Sequence, residues 1–151
     1  LNVFFLGLFL TGFGSAYYHW NPTDETLVAG IGHLTQTQAM AGYAASKKVP
    51  FPRQTVLATG VFLVVSSLMV LLGVWADLAF LLQAIYVLAT ALQMHAFWKI
   101  TDPMARMAEM TSFQKNLSLV GAALALFVHF ALGGGKAFDL TLTDSLFNFG
   151  L

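Results

Sequence analysis

Val56–Trp75 reads VLATGVFLVVSSLMVLLGVW, and after only Ala76 and Asp77 a second apolar run follows, Leu78–Trp98, LAFLLQAIYVLATALQMHAFW. Neither run contains Asp, Glu, Lys or Arg. A helix rises about 1.5 Å per residue, so each run covers the roughly 30 Å of a bilayer's hydrocarbon core. Two residues allow only a tight turn, and the pair therefore reads as an antiparallel hairpin of transmembrane helices.

The rest of the chain agrees with that hairpin. Of its 151 residues, 58% are hydrophobic and 9% charged, against roughly 25% charged in a soluble domain. Too few polar side chains exist to cover a globule, so lipid is part of the solvent. Seven basic and seven acidic residues cancel, which removes any argument for nucleic-acid binding. The chain has no cysteine, which excludes disulfides, thiolate metal sites and cysteine nucleophiles.

Upstream, Leu1–Tyr18 is apolar enough to span, and Tyr17, Tyr18 and Trp20 suit an interfacial belt. It lacks the basic region and cleavage site of a signal peptide and reads as a retained span. The start at Leu1 rather than Met suggests a fragment or a processed form. Leu27–Leu34 is too short to cross alone, Gln36–Ser46 is helix-compatible, and Pro50 and Pro52 close that stretch. Downstream, Asp102-Pro103 is an N-cap and first-turn proline. It opens an amphipathic stretch to Lys115 with a stripe of Met104, Met107, Met110 and Phe113. Asn116–Leu132 is the fourth span, and Gly133, Gly134 and Gly135 end it. The tail from Lys136 is expected at the interface or packed on the bundle.

The expected architecture is an all-α, integral membrane four-helix bundle in one domain, residues 1–151. Its spans are about 1–18, 56–75, 78–98 and 116–132, with an interfacial helix about 103–115. Lys47, Lys48 and Arg53 lie between spans one and two, and Lys99, Arg106 and Lys115 between spans three and four. The positive-inside rule then puts loops 19–54 and 99–115 in the cytoplasm.

Polar groups inside spans are the functional suspects, because unpaired ones are costly in lipid. They are Ser15, His19, Ser66, Ser67, Gln83, Gln93, His95, Asn116 and His129. Their plainer role is to tie helices together by hydrogen bonds, and Gly60, Gly73 and Gly121 would permit close helix approach. No charge falls in the middle of a span, which argues against a proton pump or a transporter. His95, beside Trp98 and seven residues before Asp102, could offer a ring nitrogen to a quinone carbonyl or a polar head group. Its plainer reading is an interfacial histidine beside an aromatic belt. Asp102, Arg106 and Glu109 are spaced to pair on one solvated helix face. Ser15 and His19, one turn apart, are weak metal candidates, since two ligands do not make a site.

Gly32-His33-Leu34, Ala41-Gly42-Tyr43, Val49-Pro50-Phe51-Pro52, His95 with Phe97-Trp98, Asp102-Pro103 and Lys115-Asn116 stand in an order that resembles the DoxX-like family of small bacterial membrane proteins, over about residues 29–132. The resemblance implies a four-helix membrane bundle. It also implies a redox-associated accessory or anchor subunit in the inner membrane, with a redox-protein partner or a second copy of the chain. Some relatives serve a thiosulfate–quinone oxidoreductase, and no agreed catalytic residues carry over. Residues 1–28 instead resemble a segment of ceramidase-like membrane hydrolases, whose Ser-x-x-x-His pair Ser15 and His19 match. That suggests a join near Val28, and, as an alternative, a fragment of a zinc-dependent lipid amide hydrolase. Most of that family's zinc ligands are missing, so a working zinc site is not expected. A small transporter is a third alternative.

Overall fold

The computed structural model describes residues 22–132, 142–147 and 149. The helices are α1 (Pro22–Thr35), α2 (Thr37–Ser46), α3 (Pro52–Leu71), α4 (Ala76–Met94) and α5 (Pro103–Ala131), with a 3-10 turn at Phe97–Lys99 before α5. Three of these segments are long and apolar enough to cross a membrane: Pro52–Leu71, Ala76–Lys99 and Pro103–Ala131. The hairpin read from the sequence is therefore present, as an all-α, multi-pass membrane chain. The expected span at 1–18 lies outside the described residues.

Two sequence expectations are corrected. The first concerns residues 103–132. An interfacial helix followed by a separate span was expected, but α5 is one helix of 29 residues, about 43 Å long. No proline or glycine pair interrupts residues 104–120, so nothing breaks the helix between its amphipathic and apolar halves. A straight helix continuous with a span cannot lie in the membrane plane, so its first turns project beyond the hydrocarbon.

The second correction concerns residues 19–54, expected to form a loop. Thr26 Oγ1 is 2.9 Å from Ser67 Oγ. Gly30 backs onto Leu63 and Val64, and His33 and Leu34 onto Gly60. As numbers rise along α1 they fall along α3, so the two helices are antiparallel and α1 starts near the level of Leu71. Gln36 makes a kink rather than a break, since its N–H donates to Gly32 O and its carbonyl accepts from Met40 N–H. Thus α1 and α2 together run back along α3; the helix-compatible stretch Gln36–Ser46 is α2, and a kinked helix pair stands where a loop between spans was expected. The cause is glycine. Gly30 and Gly60 remove the side chains that would hold the helices apart, a device for helix packing in lipid. Gly73 instead has φ 62° in the α3–α4 turn, and Gly121 has nothing near it.

The core runs between α4 and α5. Ala76, Phe80 and Ala84 pack against Val120 and Ala123, with Phe127 and Phe130 at its edge. Small residues dominate it because helices in lipid associate by close packing rather than by a hydrophobic drive. A polar seam crosses the bundle beside this core. Gln83 Nε2 donates to Ser66 Oγ at 3.1 Å, next to the Thr26–Ser67 contact, with all four side chains buried. These groups therefore tie α1, α3 and α4 together, the plainer of the two roles expected for Ser66, Ser67 and Gln83.

Residues 142–147 and 149 pack on the α3–α4 turn end of the bundle. Thr143 N–H donates to Gly73 O, and Thr143 Oγ1 accepts from Trp75 N–H. Phe149 N–H donates to Ala131 O, and Ser145 Oγ to Phe130 O. Ala76 and Asp77, read from the sequence as a tight turn, instead open α4, and the turn lies before them; Asp77 is fully buried, with Oδ2 accepting from Phe147 N–H at 2.7 Å. Sequence spacing could not reveal this, because the covering residues lie 70 positions away.

Candidate functional site

The basic end of the bundle holds a three-residue charged cluster drawn from three segments. Glu109, two turns into α5, accepts from Lys47 Nζ on Oε1 at 2.7 Å and bonds His95 Nδ1 through Oε2 at 2.7 Å. Lys47 is the C-cap residue of α2, and His95 that of α4. Both carboxylate oxygens are thus committed. All three side chains are about one-fifth exposed, at 20–23%. The cluster is neither dissolved in solvent nor closed from it.

Each partner stands where the chain's own breaks put it. Lys48 enters the left-handed region at φ 60°, and the loop Val49–Phe51 turns the chain into α3. His95 leaves α4 as the chain passes into the 3-10 turn, its N–H donating to Ala91 O and its carbonyl accepting from Phe97 N–H. The aliphatic stem of Lys47 brings its ammonium to 5.3 Å from the Tyr43 ring centre, a cation–π position. The hydrogen bond to Glu109 holds the Lys47 amine above its ordinary value of 10.5. A raised value means that this contribution to stability is complete below about pH 10.5 and is lost only as pH climbs through the folded-state value.

Three aromatic rings border the cluster. Phe97 lies 5.2 Å from Trp98 and 5.5 Å from Phe113, and Trp98 lies 5.7 Å from Phe113, all edge-to-face. Phe113 is one turn beyond Glu109 on α5, and Phe97 and Trp98 follow His95 directly. The rings and the charged cluster are therefore neighbours built on the same segments.

The histidine chemistry follows from the carboxylate. An ionised Glu109 can only accept, so His95 Nδ1 carries the proton and donates. The other ring nitrogen, Nε2, has no hydrogen bond among the described residues. It can accept from a hydroxyl when the ring is neutral, or donate to a carbonyl when the ring is charged.

The structure brings together two of the three residues expected to form a ligand contact. His95 and Trp98 share this end. Asp102 does not reach His95. Its Oδ1 accepts from Ala105 N–H at 2.8 Å and caps α5. The expected Asp102–Arg106–Glu109 face is likewise corrected, because Glu109 turns inward to Lys47 and His95. An exposed pair within one helix is worth only about 0.2–0.5 kcal/mol, and a part-buried carboxylate bonded by the Lys47 ammonium and the His95 ring outweighs it. Glu109 and Lys47 were missed as site residues, since nothing in their spacing, 62 positions apart, announces the pair. Ser15 and His19 lie outside the described residues. Among the described residues, no group of three or more His, Asp or Glu could hold a metal ion.

Residues 25–96, from the first turn of α1 to the end of α4, match the model of the DoxX family. Over that part of its length the chain is similar to the DoxX family. The match begins at Glu25, earlier than the resemblance read from the sequence, and stops at Ala96, so α5 and Glu109 fall beyond it. It includes Lys47 and His95. No curated protein and no solved structure matches the chain, and nothing in the comparisons supports the ceramidase-like reading of residues 1–28. With three apolar spans among the described residues, this is a multi-pass membrane protein in contact with the bilayer.

Proposed function

We propose that this chain, similar to the DoxX family over residues 25–96, is a membrane-embedded accessory subunit that holds a redox partner at the membrane and offers His95, at its basic end, to a quinone head group. The observation that carries the reading is the His95–Glu109 bond, which fixes one ring nitrogen and leaves the other for a ligand. A quinone has a flat ring with carbonyls at its edge and an isoprenoid tail. Trp98, Phe97 and Phe113 suit the ring, Nε2 suits a carbonyl or hydroxyl, and the adjoining bilayer suits the tail. The quinone supplies two-electron redox chemistry when bound. The chain's own part is to orient it and to hold a proton at Nε2 or accept one there. Without cysteine the chain has no thiol couple of its own, so the electrons are exchanged through the partner.

The test is quinone binding to the purified chain in nanodiscs, followed by quenching of tryptophan fluorescence by a short-tailed quinone. His95→Ala should weaken binding about tenfold or more, the scale of one lost hydrogen bond to a polar ligand. His129→Ala, on the far turn of α5, should leave it unchanged. Equal affinities for wild type and His95→Ala would remove the quinone from this site. Failure to recover any redox protein with the chain from native membranes would remove the partner.

A further inference from the structure

We propose that the basic end of the bundle is a binding surface for anionic phospholipid head groups, with Lys48, Arg53, Lys99 and Arg106 as the cations that select them. Six basic residues, Lys47, Lys48, Arg53, Lys99, Arg106 and Lys115, gather at this end. Among the described residues the only acidic ones there are Asp102 and Glu109, so six positive less two negative charges leave a net charge of +4. Both acids are already committed, Glu109 to Lys47 and His95, and Asp102 to the cap of α5. Lys48, Arg53, Lys99, Arg106 and Lys115 are exposed, and none pairs with an acid among the described residues.

The cations also come with apolar side chains at the same level. Phe51 is 76% exposed, Trp98 49%, Met104 81% and Met107 64%. Phe51 has φ 46°, a left-handed conformation that costs a non-glycine residue roughly 1–2 kcal/mol. The turn thus holds the ring away from the bundle rather than inside it. Phe51 precedes α3, Trp98 follows α4, and Met104 and Met107 occupy the first turns of α5. Each marks the end of a span, where hydrocarbon gives way to head groups. Arginines and lysines interleaved with rings at that depth suit phosphodiesters above and acyl chains below. The cations arise from three different segments gathered round one cluster. That distribution fits many small anionic ligands round the end of a bundle better than one flat acidic protein face.

The experiment uses the full chain reconstituted in mixed bilayers of phosphatidylglycerol and phosphatidylcholine. Trp20→Phe and Trp75→Phe leave Trp98 as the reporter, and quenching by brominated forms of each lipid gives their relative association at this end. Phosphatidylglycerol should be preferred about fivefold at low salt. The preference should fall toward one at about 1 M salt, where the screening length is ~3 Å. It should fall likewise in Lys48→Glu/Arg53→Glu. Spin-labelled lipids on the unsubstituted chain report the same ratio without any tryptophan change. A ratio near one at low salt in both measurements overturns the proposal, and retention of an acidic protein in place of lipid would assign the surface to that protein. Selectivity that survives both salt and charge reversal also overturns it.

Discussion

Gly30→Val is expected to be the most damaging single substitution in the described part of the chain. A Cβ at Gly30 would sit 2.9 Å from Leu63 Cβ and 3.0 Å from the backbone nitrogen of Val64. The backbone atom cannot swing aside as a flexible side chain could, so α1 must move away from α3. That movement would also stretch the Thr26–Ser67 contact one turn away. Overpacking of this kind costs about 1–3 kcal/mol, and the loss of the neighbouring buried hydrogen bond adds about 0.6 kcal/mol or more in a membrane. Unfolding in a detergent mixture should show a loss near the top of that range. Gly42→Ala and Gly121→Ala are the controls. Nothing lies within 4 Å of either added Cβ, so both should be neutral or slightly stabilising through helix propensity. Equal stability of Gly30→Val and Gly121→Ala would show that α1 does not pack on α3 as described.

Glu109→Ala is the second large effect, and it acts at the candidate site. Removing the carboxylate leaves Lys47 Nζ and His95 Nδ1 without their acceptor while both remain largely covered. The expected cost is about 1–2 kcal/mol, reduced from the value for a fully buried charge because about one-fifth of each side chain still meets solvent. The function should suffer more than the fold. With Nδ1 released, the His95 ring can turn and exchange tautomers, and quinone affinity should fall nearly as far as in His95→Ala. Glu109→Gln keeps the shape and one acceptor oxygen, so it should recover much of the stability and only part of the binding. Quinone affinity unchanged in Glu109→Ala would separate the carboxylate from the site.

The hairpin and the membrane setting were legible because apolar length is a local property, and two uncharged runs separated by Ala76 and Asp77 admit one reading. The N-cap at Asp102 was legible for the same reason, since cap, proline and helix are adjacent in the chain. What could not be read was whatever depends on residues far apart in sequence. Gly30 counts as a packing residue only once Leu63 and Val64 are seen behind it. Asp77 reads as part of a turn until the structure shows it in the first turn of α4, held by Phe147. His95 was singled out beside its aromatic neighbours, but Asp102 was chosen as its partner because it is nearby in sequence. The true partner, Glu109, lies 14 residues on and becomes available because α5 stands upright as one continuous helix.

The most direct test of the site is the protonation of His95, observed by nitrogen NMR on chain labelled at its histidines, with His95→Ala used to assign the signal. The geometry requires the proton on Nδ1, donated to the Glu109 carboxylate, with the Nε2 signal responding to added quinone. In Glu109→Ala the Nδ1 preference should disappear. A His95 that carries its proton on Nε2 alone, and whose spectrum is the same with and without Glu109, would contradict the cluster and the function built on it.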